Sequence, residues 1–139
     1  MRNGFYGTDE EWDRFNKPLL NIQPALCEFA KKKKTKLITN SHGGFERSIK
    51  WSSNNIERFI QVYSDSGPQL LFSFWICAYK DKDGFRFLKR EHLKKAVKMS
   101  EIENEIQELL EKGYKVVESW GEEDLINVGK LRVIESKKD

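Results

Sequence analysis

Apolar positions along this chain change period twice, and the changes outline its elements. Trp12, Phe15, Leu19, Ile22, Leu26 and Phe29 recur at spacings of three and four, which places them on one stripe of an amphipathic helix. Thr8-Asp9-Glu10-Glu11 precedes the stripe as a capping box, with Thr8 at the helix start and Glu11 reaching back to it. Pro18 and Pro24 interrupt the pattern, and each removes a backbone donor. The spacing therefore predicts two helices or one kinked helical region over 8–33, ending where lysines meet the negative end of the helix dipole.

Between Lys36 and Arg90 the period is two. Leu37-Ile38-Thr39 reads as a short strand, followed by the loop Asn40-Ser41-His42-Gly43-Gly44. Phe45 to Ser52 alternates, with Phe45, Ile49 and Trp51 on one face and Glu46, Ser48 and Lys50 on the other. Asn54-Asn55 suits the positive φ angles of a two-residue hairpin turn. Ile56 to Tyr63, Gln69 to Tyr79 and Phe85 to Arg90 follow as strands, linked by the loop 64–68 and by Asp81-Lys82-Asp83-Gly84. Further on, Ser100-Glu101-Ile102-Glu103 opens a second amphipathic helix carrying Ile102, Ile106, Leu109 and Leu110, with Gly113 as its expected stop. Lys115 to Trp120 reads as a strand, Glu122 to Val128 as a short helix and Lys130 to Ile134 as a last strand. The predicted architecture is a single α+β domain over 1–139. It has a kinked helical region (8–33), an antiparallel meander of four to five strands (36–90), a helix (100–112) and a strand–helix–strand segment (114–135). The amino-terminal and carboxy-terminal helices pack on one face of the sheet.

Turn lengths decide which strand residues share a face. A two-residue turn at Asn54-Asn55 sets Ile49 and Trp51 beside Arg58 and Ile60. The next two connections add Val62, Leu70, Phe72, Phe74, Ile76, Phe85 and Phe87. That face is apolar apart from Arg47 and Arg58 and should receive the helices. The opposite face gathers Phe59, Gln61, Tyr63, Leu71, Ser73, Trp75, Cys77, Tyr79, Arg86, Leu88 and Arg90. The expectation for it is a second small core, covered by Val116, Val117, Trp120, Leu125 and Ile126, because apolar patches of that extent are uncommon on monomers. Left open, it would present the residue types most enriched at binding hot spots, or aromatic platforms for bases.

Composition and charge narrow the function classes. The chain has 139 residues, enough to bury a core; 12% are aromatic and 34% charged. Seventeen aromatic residues argue against wholesale disorder, and no apolar run reaches membrane-spanning length. The polar, acidic stretch Met1 to Phe15 lacks a signal-peptide pattern, and Cys27 and Cys77 are too few to staple a fold, so the expected compartment is the cytoplasm. The net charge of +3 conceals an asymmetry: residues 1–98 carry 19 basic and 11 acidic side chains, a net of +8, and residues 99–139 carry 6 and 11, a net of −5. Basic density peaks in Lys31, Lys32, Lys33, Lys34 and Lys36, and acidic density on the second helix at Glu105, Glu108 and Glu111.

Motifs that carry chemistry are sparse. His42, His92, Cys27 and Cys77 offer no pair at metal-ligand spacing, and Asp81-Lys82-Asp83-Gly84 lacks the later ligands of a calcium loop. Gly43-Gly44 is not followed by Lys-Ser or Lys-Thr, so the familiar phosphate loops are excluded. Ser41 beside His42 lacks a nucleophile elbow, Cys77 sits among aromatics mid-strand, and Glu28, Glu46 and Glu57 form no distinctive acid–base pair. No cofactor, metal or catalytic residue is expected.

The sequence thus reads as a non-catalytic protein that binds a macromolecule, most naturally another protein, by analogy with small immunity and adaptor proteins. Candidate partner-binding residues are Phe59, Tyr63, Trp75, Tyr79, Arg86 and Arg90, with Glu105, Glu108 and Glu111 suited to steering a basic partner. The first alternative is a nucleic-acid binder that uses Lys31, Lys32, Lys33, Lys34 and Lys36 with the aromatic face. The second is a small-ligand enzyme with a pocket between sheet and helices.

Overall fold

A computed structural model of the chain describes residues 8–39, 45–64 and 71–131, without the side chains of Glu11, Trp12 and Phe15. Helix α1 (Asp9–Lys32) leads into strands β1 (Lys36–Ile38), β2 (Glu46–Ser53), β3 (Ile56–Ser64), β4 (Leu71–Lys82) and β5 (Phe85–Lys98). Helix α2 (Met99–Ser119), a 3-10 turn at Glu122–Asp124 and strand β6 (Ile126–Lys130) complete it. The six strands form one antiparallel sheet in the order β1-β2-β3-β4-β5-β6. The α+β class with an antiparallel sheet is as expected; among the described residues the strand count is six rather than four to five, because Ile126–Lys130 adds itself to the edge of β5.

Helix α1 is one uninterrupted element over Asp9–Lys32, despite Pro18 and Pro24 within it. Each internal proline costs about 3 kcal/mol. Against that, Leu19, Ile22, Leu26 and Phe29 are all at most 5% exposed on the sheet, and such burial stabilises by about 2 kcal/mol per side chain. The helix closes at Lys34, whose φ of 56° is left-handed, and the amide of Thr35 bonds the carbonyl of Ala30 (2.8 Å) in a Schellman-type end.

The hairpin turns behave as their chemistry requires. Asn54 (φ 54°) and Asn55 (φ 63°) make the tight turn between β2 and β3, and Asp83 (φ 54°) with Gly84 (φ 82°) makes that between β4 and β5. The resulting register sets Ile49 opposite Ile60, Val62 opposite Phe74 and Ile60 opposite Ile76, so the predicted apolar face is realised at these positions; Phe85 is exposed at its edge, and Leu70 lies outside the described residues. Both helices bury the described residues of their stripes on this face. The core joins Leu19, Leu26 and Phe29 of α1, Ile49, Ile60, Phe72, Phe74 and Ile76 of the sheet, and Ile102, Leu110 and Val117 of α2.

Helix α2 departs from expectation at both ends. It begins at Met99, and Glu101 rather than Glu103 closes the start, accepting from the Lys98 amide (3.3 Å). It also runs through Gly113 to Ser119, so the strand expected at Lys115 to Trp120 is helix. Gly113 is buried because α2 lies close on the sheet there: a Cβ would stand 3.0 Å from Leu93 Cδ2 and 3.3 Å from Ile76 Cγ2. The glycine serves close approach and does not end the helix.

Termination comes from the sheet instead. Arg58 is fully buried and donates to the carbonyls of Val117 and Trp120 (2.9 Å to Trp120) at the end of α2, and to the hydroxyl (2.7 Å) and carbonyl (3.3 Å) of Ser53. No basic residue lies in the last turn of α2 itself; the guanidinium from β3 supplies the cation that this end of the dipole favours. Arg47, the other polar residue on the core face, bonds Gln23 (2.8 Å) and Asn16 (2.7 Å) of α1.

Candidate interaction surface on the open sheet face

With both helices on one side, the other side of the sheet has no described helix or strand above it. This corrects the expected cover. Val117, Trp120 and Leu125 are buried in the core beneath the helices, Val116 packs against that core, and Ile126 stands 68% exposed on β6. The reason is the extension of α2 through Gly113, which carries Val116, Val117 and Trp120 along the core face, so that among the described residues after it β6 alone returns to the sheet.

Antiparallel pairing arranges the open face in rows across the strands. One row runs Lys36, Lys50, Phe59, Cys77 and Arg90; the next runs Ile38, Ser48, Gln61, Trp75 and His92; a third runs Glu57, Tyr79, Leu88 and Ile126. Phe59, Tyr63, Trp75, Tyr79, Arg86 and Arg90 are thus brought together as expected from alternation. Phe59 and Tyr79 stack with centroids 5.8 Å apart. The Arg90 guanidinium lies 3.7 Å from the centre of the Trp75 ring and that of Arg86 4.1 Å from Tyr79, a cation–π geometry that holds both arginines against the sheet. His92 packs on Trp75 at 3.5 Å between ring centroids.

The polar groups have distinct partners. Arg86 makes a two-point pair with Asp81 (2.7 and 2.9 Å), which holds the Asp81 carboxyl below its usual range. Lys50 lies 3.8 Å from Glu57 and 5.5 Å from the centre of the Phe59 ring. Arg90 bonds Gln61 (3.2 Å) and Tyr63, both neutral. The Tyr63 phenol is pushed up to about 12, first by burial and then by the Glu46 carboxylate, while Arg90 opposes the rise. Glu46 is 2% exposed and accepts from the Ser48 hydroxyl. Burial raises the Cys77 thiol, the nearby arginines opposing it, so the thiol stays protonated at neutral pH. Desolvation, with Lys95 and Arg90 close by, lowers the His92 imidazole and leaves it neutral at pH 7.

The remaining candidates lie elsewhere. Glu105, Glu108 and Glu111 are on α2, in the other layer. Glu105 pairs with Lys94 across to β5, and Glu111 pairs with Lys32 (2.8 Å) and Lys33 (3.0 Å) of α1. Glu122 likewise takes Lys80 (2.9 Å) and Lys82 (3.2 Å). Much of the charge asymmetry along the sequence is therefore internal complementarity. The lysine run divides: Lys31 to Lys34 end α1, Lys33 reaching over the Tyr114 ring at 4.9 Å, whereas Lys36 starts β1 in the open-face row with Lys50. Ser41 and His42, with the rest of the loop 40–44, lie outside the described residues.

Sequence reasoning passed over Glu46, Ser48, Lys50, Glu57, His92 and Ile126 as members of this face. Alternation in β2 already signals the first three. Ile126 needed the β5–β6 register, which no local pattern specifies. Grooves on the described surface include one on α1 lined by Arg14, Lys17 and Pro18 with Met99, one between β5 and α2 lined by Leu93, Lys94, Glu105 and Glu108, and one beside the 3-10 turn lined by Phe87, Leu125 and Asn127. Between sheet and helices lies the core of buried apolar side chains. Among the described residues no helix is long and apolar enough to cross a membrane. Comparison with protein-family models, with curated proteins and with solved structures found no match to this chain.

Proposed function

We propose that this protein is a non-catalytic interaction module that binds another protein through the open face of its sheet. The observation that carries the reading is the cluster of Phe59, Trp75, Tyr79, Leu88 and Ile126, edged by Arg86 and Arg90, on the side that the helices leave free. Large, rigid amphipathic side chains of this kind bury much area at little entropic cost, and Trp, Tyr and Arg dominate the energetics of protein interfaces. The rings and guanidiniums are already stacked on one another, so the face is organised before a partner arrives, which lowers the cost of binding.

Site-specific photocrosslinking tests the proposal. Benzoylphenylalanine replaces Leu88 on the open face in one variant and Gln107, exposed on α2, in another. The expected result is a protein adduct of defined mass from position 88 and none from position 107. Adducts from position 107 alone, or nuclease-sensitive adducts from position 88, would refute it.

A further inference from the structure

We infer that the partner seated on the open face is acidic, its carboxylates meeting the cations of the Lys36–Lys50–Arg90 row on either side of the aromatic cluster; this rests on the proposed docking role of that face. Several charges on the face are already neutralised. Arg86 is matched by Asp81 at two points, and the buried Glu46 is engaged by Ser48 and Tyr63. Glu57 stands 3.8 Å from Lys50. Arg90 is different: it is exposed, its hydrogen-bond partners Gln61 and Tyr63 are neutral, and no described carboxylate lies within ion-pair distance. Lys36, exposed at the start of β1, likewise has no ion-pair partner among the described residues.

The row from Lys36 to Arg90 crosses four strand intervals, about 19 Å at the usual strand spacing. Two unmatched cations therefore sit at its ends, with Lys50 and Phe59 between them. The Arg90 guanidinium carbon lies 3.7 Å from the centre of the Trp75 ring, and a guanidinium carries the fork of donors that a carboxylate accepts. A second copy of this chain fits poorly, because the same cationic rows would confront each other. Nucleic acid fits less well than an acidic protein, because ring faces that bases would stack on already carry Arg90, His92, Arg86 or a neighbouring ring.

The test titrates isotope-labelled full-length protein with a random glutamate–tyrosine copolymer, a lysine–tyrosine copolymer and an oligouridylate, following the Trp75 indole N–H and the backbone amides. The expected result is saturable displacement of the Trp75 and Leu88 signals by the acidic copolymer alone, weakened by salt. Arg90→Gln should bind about tenfold more weakly, as expected for one lost charge-assisted contact. The pair Lys36→Gln with Lys50→Gln should weaken binding similarly without touching Arg90, and serves if Arg90→Gln fails to fold. Wild-type affinity in both variants, or displacements confined to α2, would overturn the inference. So would preference for the basic copolymer or for oligouridylate. Protein adducts from position 88 that persist in the charge variants would overturn the acidic partner while leaving protein docking intact.

Discussion

Replacing Arg58 with methionine should destabilise the fold by about 3 kcal/mol, for reasons that the surroundings of this side chain specify. The guanidinium is fully buried and donates to Ser53 Oγ, the Ser53 carbonyl and the carbonyls of Val117 and Trp120, with Glu118 3.7 Å from its Nε. Not all of these acceptors are stranded by its loss. The Val117 carbonyl keeps the Trp120 amide (3.2 Å), and Glu118 keeps Trp51 Nε1 and the Ser53 hydroxyl (2.9 Å). The Trp120 carbonyl loses its donor, and the negative end of α2 loses the cation that donates to it, while methionine returns apolar contact of similar volume. Breaking a buried charged network costs about 3–5 kcal/mol, which the methionine contacts bring toward the lower end. A chain of 139 residues shifts its melting temperature by about 3–4 °C per kcal/mol, so the expected fall is about 10 °C. Urea unfolding followed by Trp fluorescence, with calorimetry beside it, measures both quantities. Arg58→Lys should retain part of the stability, because one ammonium reaches fewer acceptors than the guanidinium fork. A methionine variant within about 1 kcal/mol of wild type would refute the view that β3 terminates α2 through this residue.

Three further perturbations probe separate links. Gly113→Val should cost about 2–3 kcal/mol by overpacking, since even a Cβ meets Leu93 and the buried Ile76 at 3.0 and 3.3 Å; an unchanged urea midpoint would show that the helix–sheet spacing is slack. Lys34→Gly should stabilise by about 0.5–1 kcal/mol, because the native φ of 56° is left-handed and glycine adopts it without strain; a loss of stability would contradict the assigned helix end. The Tyr63 phenol is raised to about 12 from an ordinary value near 10, so the folded state favours its protonated form. The stability it contributes is complete below about pH 10 and is lost as pH rises toward 12. Tyr63→Phe should therefore lose less stability than wild type over that interval, and should remove the corresponding high-pH step from the tyrosinate absorbance titration.

How much of this was legible beforehand follows from the range of the interactions involved. Strand faces were readable because the side-chain period is two and Asn54-Asn55 and Asp83-Gly84 fix their turns locally; the pairings of Ile49 with Ile60 and of Trp51 with Arg58 follow directly. The open-face cluster was readable by the same rule. The boundary of α2 was not, because Gly113 looks like a stop in sequence and is a contact point in space, and because the true terminator, Arg58, is 59 residues away from Val117. The continuity of α1 through two prolines likewise depends on tertiary burial of its stripe, which overrides local cost. For the open face, sequence placed Phe59, Trp75, Tyr79, Arg86 and Arg90 on one side of the sheet and expected the wrong cover. Which layer receives residues 114–125 depends on where α2 ends, and an error there moves Val117 and Trp120 from one face of the sheet to the other.

On the proposed role, the Trp75–Tyr79 face is free in the isolated chain and occupied by a protein in its natural setting. Hydroxyl-radical footprinting with mass spectrometry measures this directly, comparing purified protein with the same protein labelled inside its cells. Phe59, Tyr79, Leu88 and Ile126 should be modified in the purified chain and protected in cells. Exposed Leu20 of α1 should be modified alike in both. Equal modification of the open-face residues in the two settings, or protection that falls on the helix layer instead, would contradict the account.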